Sequence, residues 1–316
     1  MTTPSATPQV PEPDSTAPSG AAPSVHATRR DLASTGRVHL KLLLPIAAVS
    51  VLTATVLWLS PATQWSPLAR LLHRDRLPYP GKAREIWDSH LESEMSFWKN
   101  QIRRQDSKAW REENGTRLDP EAPLQDVIAK HIDRTVSVNR ILDVGSGPLT
   151  SINKKCGFCE ISITAVDPLA DFYNEILAKR EITPPVRTEL GWGERLTEQF
   201  GENQFDITYS RNAIDHSYDP IKCVDEMIKV TKKNRYVIDE VNERGASLEG
   251  WDGLHQWDFF VARTLPLLEK HLFIEGKSIE AVDVTSHFAK VAEMTTLEVT
   301  GGPERSILFV LRKRSD

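Results

Sequence analysis

The sequence has few cysteines and no excess of basic charge, and each shortage narrows what the chain can be. Three cysteines, Cys156, Cys159 and Cys223, are too few for a disulfide scaffold, which makes a reducing compartment the simplest expectation. A formal net charge of −5 gives no general attraction to nucleic acid or anionic lipid, so no nucleic-acid partner is expected. No internal repeat is visible. What is present is ordinary for a globular protein: 40% hydrophobic and 26% charged residues over 316 positions, enough for one large domain with appendages or for two modest ones.

Residues 1–38 are rich in Pro, Ser, Thr and Ala and nearly free of large apolar side chains. Such a segment buries too little surface to offset its ordering entropy, so a disordered tail is expected. Residues 39–60 follow as an expected transmembrane anchor, because Leu42 to Leu59 carries no charge. A helix over 42–59 spans ~27 Å, enough for a hydrocarbon core. Trp58 and Trp65 suit an interfacial position. A buried core helix and a cleaved signal peptide ending near Ser60-Pro61-Ala62 are the alternatives. Basic residues flank the segment on both sides, so the charge balance sets no orientation for this single-pass membrane localisation.

Residues 61–82 hold Pro61, Pro67, Pro78 and Pro80 and read as a linker. Residues 83–138 read as a helical extension. In its first helix, 83–104, Trp87, Leu91, Met95, Trp98 and Ile102 step by three or four and share one face. That stripe predicts packing on the domain that follows or capping of a cleft in it. A second helix is expected to start at Pro120, with Asp119 as its cap.

Residues 139–316 alternate. Strand-like runs at Arg140–Val144, Ile161–Asp167, Val186–Leu190, Phe205–Ser210 and Tyr236–Glu240 are separated by helical stretches such as Asp171–Arg180 and Pro220–Thr231. That alternation predicts an α/β fold, a Rossmann-like doubly wound sheet. The end of the chain, Thr295–Thr300 and Ser306–Arg312 around Gly301-Gly302-Pro303, predicts a C-terminal antiparallel hairpin.

The sharpest motif is Asp143-Val144-Gly145-Ser146-Gly147, at the end of the first of these strands. Glycines there allow unusual φ values and close approach of a ligand. Asp167 ends the next strand, where an acid accepts both hydroxyls of a ribose. Strand, glycine turn, helix, strand and acid make a nucleoside-binding unit. The dinucleotide fingerprint wants a third glycine where Thr150 stands. Asp143 would also repel a nearby pyrophosphate, but suits a cofactor carrying an ammonium and a sulfonium.

On these residues, 139–240 resembles the core of class I S-adenosylmethionine-dependent methyltransferases. Asp143, Gly145 and Gly147 match that family's first motif and Asp167 its ribose-binding acid. The resemblance implies S-adenosylmethionine as cofactor, with Trp192, Gly193 and Glu194 in the adenine loop and Ser210 and Asn212 at the methyl-facing end of the fourth strand. Trp192 stands where the family often has an acid, which implies stacking or backbone contact to adenine. A narrower resemblance, on Thr164–Ala170, Arg211–Pro220 and Gly253–Trp257, is to a largely uncharacterised methyltransferase group. Glycans and other cell-surface molecules are the suspected acceptors there.

Methyl transfer to a hydroxyl needs alignment and a base. Asp215 and His216 follow the fourth strand, at the sheet edge where ligands bind, and His216 is the first candidate base. His255, between Trp251 and Trp257, is the second catalytic candidate, in a loop whose aromatic rings suit a sugar or planar acceptor. Asp239, Glu240, Asn242 and Glu243 could line the acceptor pocket, and with the two histidines they match no known metal motif, so no metal is expected. Cys156-Gly157-Phe158-Cys159 lacks the further ligands of a zinc site and reads as a loop after a helix. Asn114-Gly115-Thr116 is a glycosylation sequon. The alternatives to a methyltransferase acting on a small-molecule or glycan acceptor are a nicotinamide-dependent oxidoreductase and a non-catalytic membrane scaffold.

Overall fold

The computed structural model describes residues 80–265, 268–277, 279–301 and 305–315. The expected tail, the membrane segment 39–60 and most of the linker lie outside the described residues, as do Gly302 and Pro303 of the hairpin turn. Among the described residues, no helix is long and apolar enough to cross a membrane.

The centre of the molecule is a seven-stranded sheet in the order β3-β2-β1-β4-β5-β10-β9. Its parallel strands are β1 (Val138–Val144), β2 (Glu160–Asp167), β3 (Thr188–Leu190), β4 (Phe205–Arg211) and β5 (Thr231–Asn242). The antiparallel pair β9 (Ala292–Thr300) and β10 (Ser306–Lys313) closes one edge, as the hairpin pattern predicts. β4 is buried from Phe205 to Ser210, which explains its almost unbroken apolar and small-polar character: both faces are covered. Leu142, Val144, Val237 and Phe309 enter one core with Val224 and Met227 of a helix, Pro220–Val230. Ile141, Ile207, Ile238 and Val310 enter the other with Leu124, Ile128 and Ile152. Neighbouring residues of one strand therefore serve opposite cores, as the strand period of two requires.

The helices are α1 (Pro80–Arg103), α2 (Lys108–Leu118), α3 (Asp126–Ala129), α4 (Ala170–Ala178), α5 (Leu196–Phe200), α6 (Pro220–Val230), α7 (Gly245–Leu248) and α8 (Val284–Phe288). Two expectations are corrected here. Asp119 caps no helix start; it is the C-cap of α2, whose N-cap is Ser107, accepting from the Trp110 N–H at 3.2 Å. Pro120 is the reason, because the residue before a proline is pushed out of the helical region. The helix expected after the glycine turn is absent as well: residues 145–159 run as turns and bends. Pro148, Gly157 and the β-branched Thr150 and Ile152 are poor helix formers together. This loop is instead tied by a Cys156–Cys159 disulfide. The sequon Asn114 is buried inside α2, where its side chain donates to the Trp110 carbonyl at 3.1 Å.

A feature with no counterpart in the sequence expectations is a second, three-stranded antiparallel sheet of β6 (Trp257–Thr264), β7 (Glu269–Gly276) and β8 (Ile279–Asp283). It is inserted between β5 and the closing hairpin. An isolated bridge between Glu243 and Phe259 joins it to the exit of β5. The Trp257 indole donates to the Ser217 carbonyl at 2.8 Å, fixing it to the exit of β4.

Candidate active site

The glycine turn leaves β1 with Gly145 at φ +70° and Gly147 at φ +62°, both left-handed. A Cβ on Gly145 would collide with the Cβ of Ala213, so this turn packs directly on the exit of β4. A Cβ on Gly147 would stand 3.3 Å from the Trp98 ring. Helix α1 thus lies over the turn, and the stripe Trp87–Trp98 serves both packing and cover. Asp143, 1% exposed, accepts from the Thr150 hydroxyl at 2.5 Å. Burial pushes its carboxyl up to about 6. Asp167 ends β2 and accepts from the Gly147 N–H at 3.1 Å and the Leu169 N–H at 2.9 Å, and burial pushes it up to about 7. Two backbone donors, two positive-φ glycines and two buried acids meet at the carboxyl ends of β1 and β2.

Trp192 is half-buried in extended backbone before a short 3-10 turn, Gly193–Arg195. Gly193 is needed for packing, since a Cβ there would strike Cys223 of α6. Glu194 is buried, accepts from the Tyr218 N–H at 3.1 Å and is pushed by burial up to about 7. Its carboxylate braces the start of α6. Ser210 is fully buried at the end of β4, and Asn212 is exposed at φ +46°.

Beyond Asn212 the chain makes a 3-10 turn, Ile214–His216. Here the structure joins residues that the sequence holds far apart. The His216 Nε2 lies 3.1 Å from the His255 Nδ1. The Asp215 Oδ2 lies 3.6 Å from that His216 nitrogen and 3.7 Å from that of His255. The outer nitrogen of His255, Nε2, meets the Glu249 carboxylate at 3.0 Å. Burial would raise the Asp215 carboxyl, but the two histidines outweigh it and leave it lowered. Burial likewise opposes protonation of His255, yet Asp215, Glu249 and Glu94 raise it. Glu94 of α1 acts on Asp167 too, so α1 runs past both ends of the crevice.

Residues 142–238 match the family model described as a methyltransferase domain. That part of the chain is thus similar to a methyltransferase domain. Among solved structures, an S-adenosylmethionine-dependent methyltransferase from Methanosarcina mazei is 15% identical, over 61% of this chain and 100% of its own, with a TM-score of 0.39. A Pyrococcus horikoshii protein is 16% identical over 66% of this chain and 94% of its own, with a TM-score of 0.38. Similarity at this level speaks to neither acceptor nor mechanism. Among curated proteins, none matches the chain by sequence.

The residues fit the methyltransferase cofactor. Gly145 and Gly147 leave the backbone bare, and Asp167 offers a carboxylate at the tip of β2. The nicotinamide alternative loses its main support, because a pyrophosphate is normally held on the helix that follows the glycine turn, and that helix is missing here.

The other residues expected to line an acceptor pocket lie apart from the two histidines. Glu240 accepts from the Tyr209 hydroxyl at 2.7 Å, Glu243 pairs with Arg305 at 2.8 Å, and Asn242 accepts from Ser306 at 3.4 Å. None of the three joins the histidines. Asp239 is fully buried, and burial pushes it well above the usual carboxylate range. Trp257 is a buried strut, leaving Trp251 as the half-buried ring of that loop. Trp251 itself sits at φ +62°, a strained conformation for a bulky residue and one that clusters near functional sites. Sequence reasoning missed Glu249, in an unassigned segment, and Glu94, within the expected helix 83–104, where charge was the only signal.

Proposed function

We propose that the chain is an O-methyltransferase. Its acceptor hydroxyl, on a glycan, lipid-linked sugar or other small molecule, binds against Asp215, His216 and His255. One observation carries this reading: the turn that bears Asp215 and His216 begins at Ala213, which touches Gly145 of the cofactor turn. Cofactor and acceptor groups are therefore neighbours at one sheet edge, where α/β proteins bind ligands.

When bound, S-adenosylmethionine supplies a methyl group on a sulfonium, whose carbon–sulfur bond breaks with its electron pair returning to sulfur. Asp167 holds the ribose hydroxyls, and the Gly145–Gly147 backbone allows close approach. His216 takes the proton of the acceptor hydroxyl on Nε2 and passes it to solvent. Asp215 steadies the charged imidazole. Trp98 and Glu94 of α1 cover the crevice and limit water.

The apolar run 42–59 supports a membrane tether, which would keep the enzyme near a lipid-linked acceptor. Membrane fractionation of the full chain beside a chain beginning at Gly81 checks this part. Only the full chain is expected in the membrane pellet, and equal solubility of the two would remove the tether.

Calorimetric titration of the full chain with S-adenosylmethionine, S-adenosylhomocysteine and NADH tests the cofactor end. Asp167→Asn is expected to weaken the first two by ~100-fold, the worth of two charge-assisted hydrogen bonds. Binding of NADH instead would return the oxidoreductase reading.

A further inference from the structure

The three atoms Asp215 Oδ2, His216 Nε2 and His255 Nδ1 form a triangle with sides of 3.1, 3.6 and 3.7 Å. Only one of these sides is short enough for a hydrogen bond. A proton shared between the two imidazoles satisfies them and leaves the carboxylate out. Asp215 is 3% exposed, and its other oxygen, Oδ1, has no hydrogen-bond partner among the described residues. Its ion-pair partners among those residues are the two histidines alone. A buried carboxylate left in this state is costly, and proteins resolve it by pairing or by a metal.

The triangle has the dimensions of a metal site. Three ligand atoms on a tetrahedral ion at ~2.05 Å stand about 3.4 Å apart. Two imidazole nitrogens and one carboxylate oxygen are a borderline, nitrogen-rich donor set, which suits zinc and disfavours magnesium. A fourth tetrahedral position remains open, as in catalytic rather than structural zinc sites. The outer shell is present too: Glu249 receives the far nitrogen of His255 at 3.0 Å, an arrangement that orients metal-bound histidines.

We propose that Asp215, His216 and His255 bind one divalent transition-metal ion, zinc by preference, with the acceptor oxygen at the open position. This deepens the reading of that end of the crevice as the acceptor site and rests on it for the role of the ion, but the binding itself does not. In the loaded protein the His216 lone pair would be committed to the ion, which would instead acidify the hydroxyl, whose proton would pass to solvent. The separation of Asp215 and His216 from His255 along the chain is why spacing alone suggested no metal.

The test is metal uptake by the untagged full chain after stripping with a chelator. Wild type is expected to take up one zinc per chain, to hold it against excess Mg2+, and to give the visible absorption of tetrahedral cobalt when Co2+ replaces Zn2+. Asp215→Asn and His255→Ala should weaken uptake at least ~100-fold, and Glu249→Gln by ~10–100-fold. Cys156→Ser with Cys159→Ser should leave it unchanged. S-adenosylhomocysteine binding, measured on the same variants, is expected to persist and shows that they fold. No stoichiometric zinc on wild type, or equal zinc on His255→Ala, overturns the site while leaving hydroxyl methylation by His216 intact. Zinc lost with His255 supports the site even if every hydroxyl acceptor fails, an outcome that would instead remove the acceptor reading.

Discussion

Asp167 and Asp215 are both buried acids at the carboxyl edge of one parallel sheet, yet their surroundings differ in kind. Asp167 accepts two backbone N–H groups, from Gly147 and Leu169, within the motif it belongs to. Asp215 faces two imidazoles, one of them brought in by the loop before the second sheet. Burial wins at Asp167 and raises its carboxyl to about 7, while the histidines win at Asp215 and lower it. One end of the crevice is made by backbone and local sequence, the other by side chains converging from distant segments. The first suits a cofactor of fixed shape, and the second suits the proton and charge traffic of an acceptor.

The largest expected effect sharpens that division. His216→Ala should lower turnover by ~10^2–10^4-fold, the usual worth of general acid–base help, and leave S-adenosylmethionine affinity within about twofold. Rapid mixing at saturating cofactor, beside calorimetry on the same variant, separates the two numbers. An equal loss of affinity and turnover would mean that the two ends are one site and would break the comparison.

The same division explains what was legible in the sequence. The cofactor end could be read because its signal is short-range: Asp143, Gly145, Gly147 and Asp167 lie within one strand–turn–strand unit, and the strand runs around them are apolar enough to be found. The parallel sheet follows from the alternation of strands and helices, and the closing hairpin from the two strand-like runs at 295–300 and 306–312. The helix after the glycine turn was expected from the general architecture and is absent, because Pro148, Thr150, Ile152 and Gly157 prevent it locally. At the acceptor end His216 and His255 were both visible as residues, but their 3.1 Å contact depends on a sheet whose strands are half exposed and carry charges at irregular spacing. Asp119 shows the same limit at short range, since a cap residue before proline serves a helix end as well as a helix start.

A smaller effect comes from the element that spans both ends. Trp98 stands over Gly147, meets the Tyr173 ring edge-on at 5.9 Å and donates to Glu94 at 2.7 Å. Being only partly buried, it should cost less than a core tryptophan: Trp98→Ala is expected to lower unfolding stability by ~2 kcal/mol. Cofactor affinity should fall by roughly tenfold as the cover over the turn is lost. Thermal melts with and without S-adenosylhomocysteine measure both. If the ligand-induced rise in Tm survives in the variant, α1 is packing alone and not part of the crevice.

The last effect is in pH, and it probes the two acids through Asp167 alone. Its folded carboxyl lies at about 7, raised by burial above the ordinary value of 3.8. The unfolded chain therefore gives up this proton at lower pH than the folded one. The contribution of Asp167 to stability is full below about pH 4 and is lost as pH rises towards 7. Asp167→Asn cannot ionise, although its single amide oxygen keeps only one of the two backbone donors, which fall on separate carboxylate oxygens. In the absence of cofactor it should lack the wild-type loss of stability above pH 4, so the stability difference between the two proteins should shift in its favour by roughly 3–4 kcal/mol between pH 4 and pH 8. Cofactor binding runs the other way, because the ribose hydroxyls need the ionised carboxylate. Wild-type affinity for S-adenosylhomocysteine should rise about tenfold between pH 6 and 8, with no such rise in Asp167→Asn. A substitution that removes the pH-dependent loss of stability and also weakens binding is the mark of a group held under strain for its ligand. A stability difference that stays constant from pH 4 to pH 8 would mean that Gly147 and Leu169 already satisfy the charge, and the contrast with Asp215 would disappear.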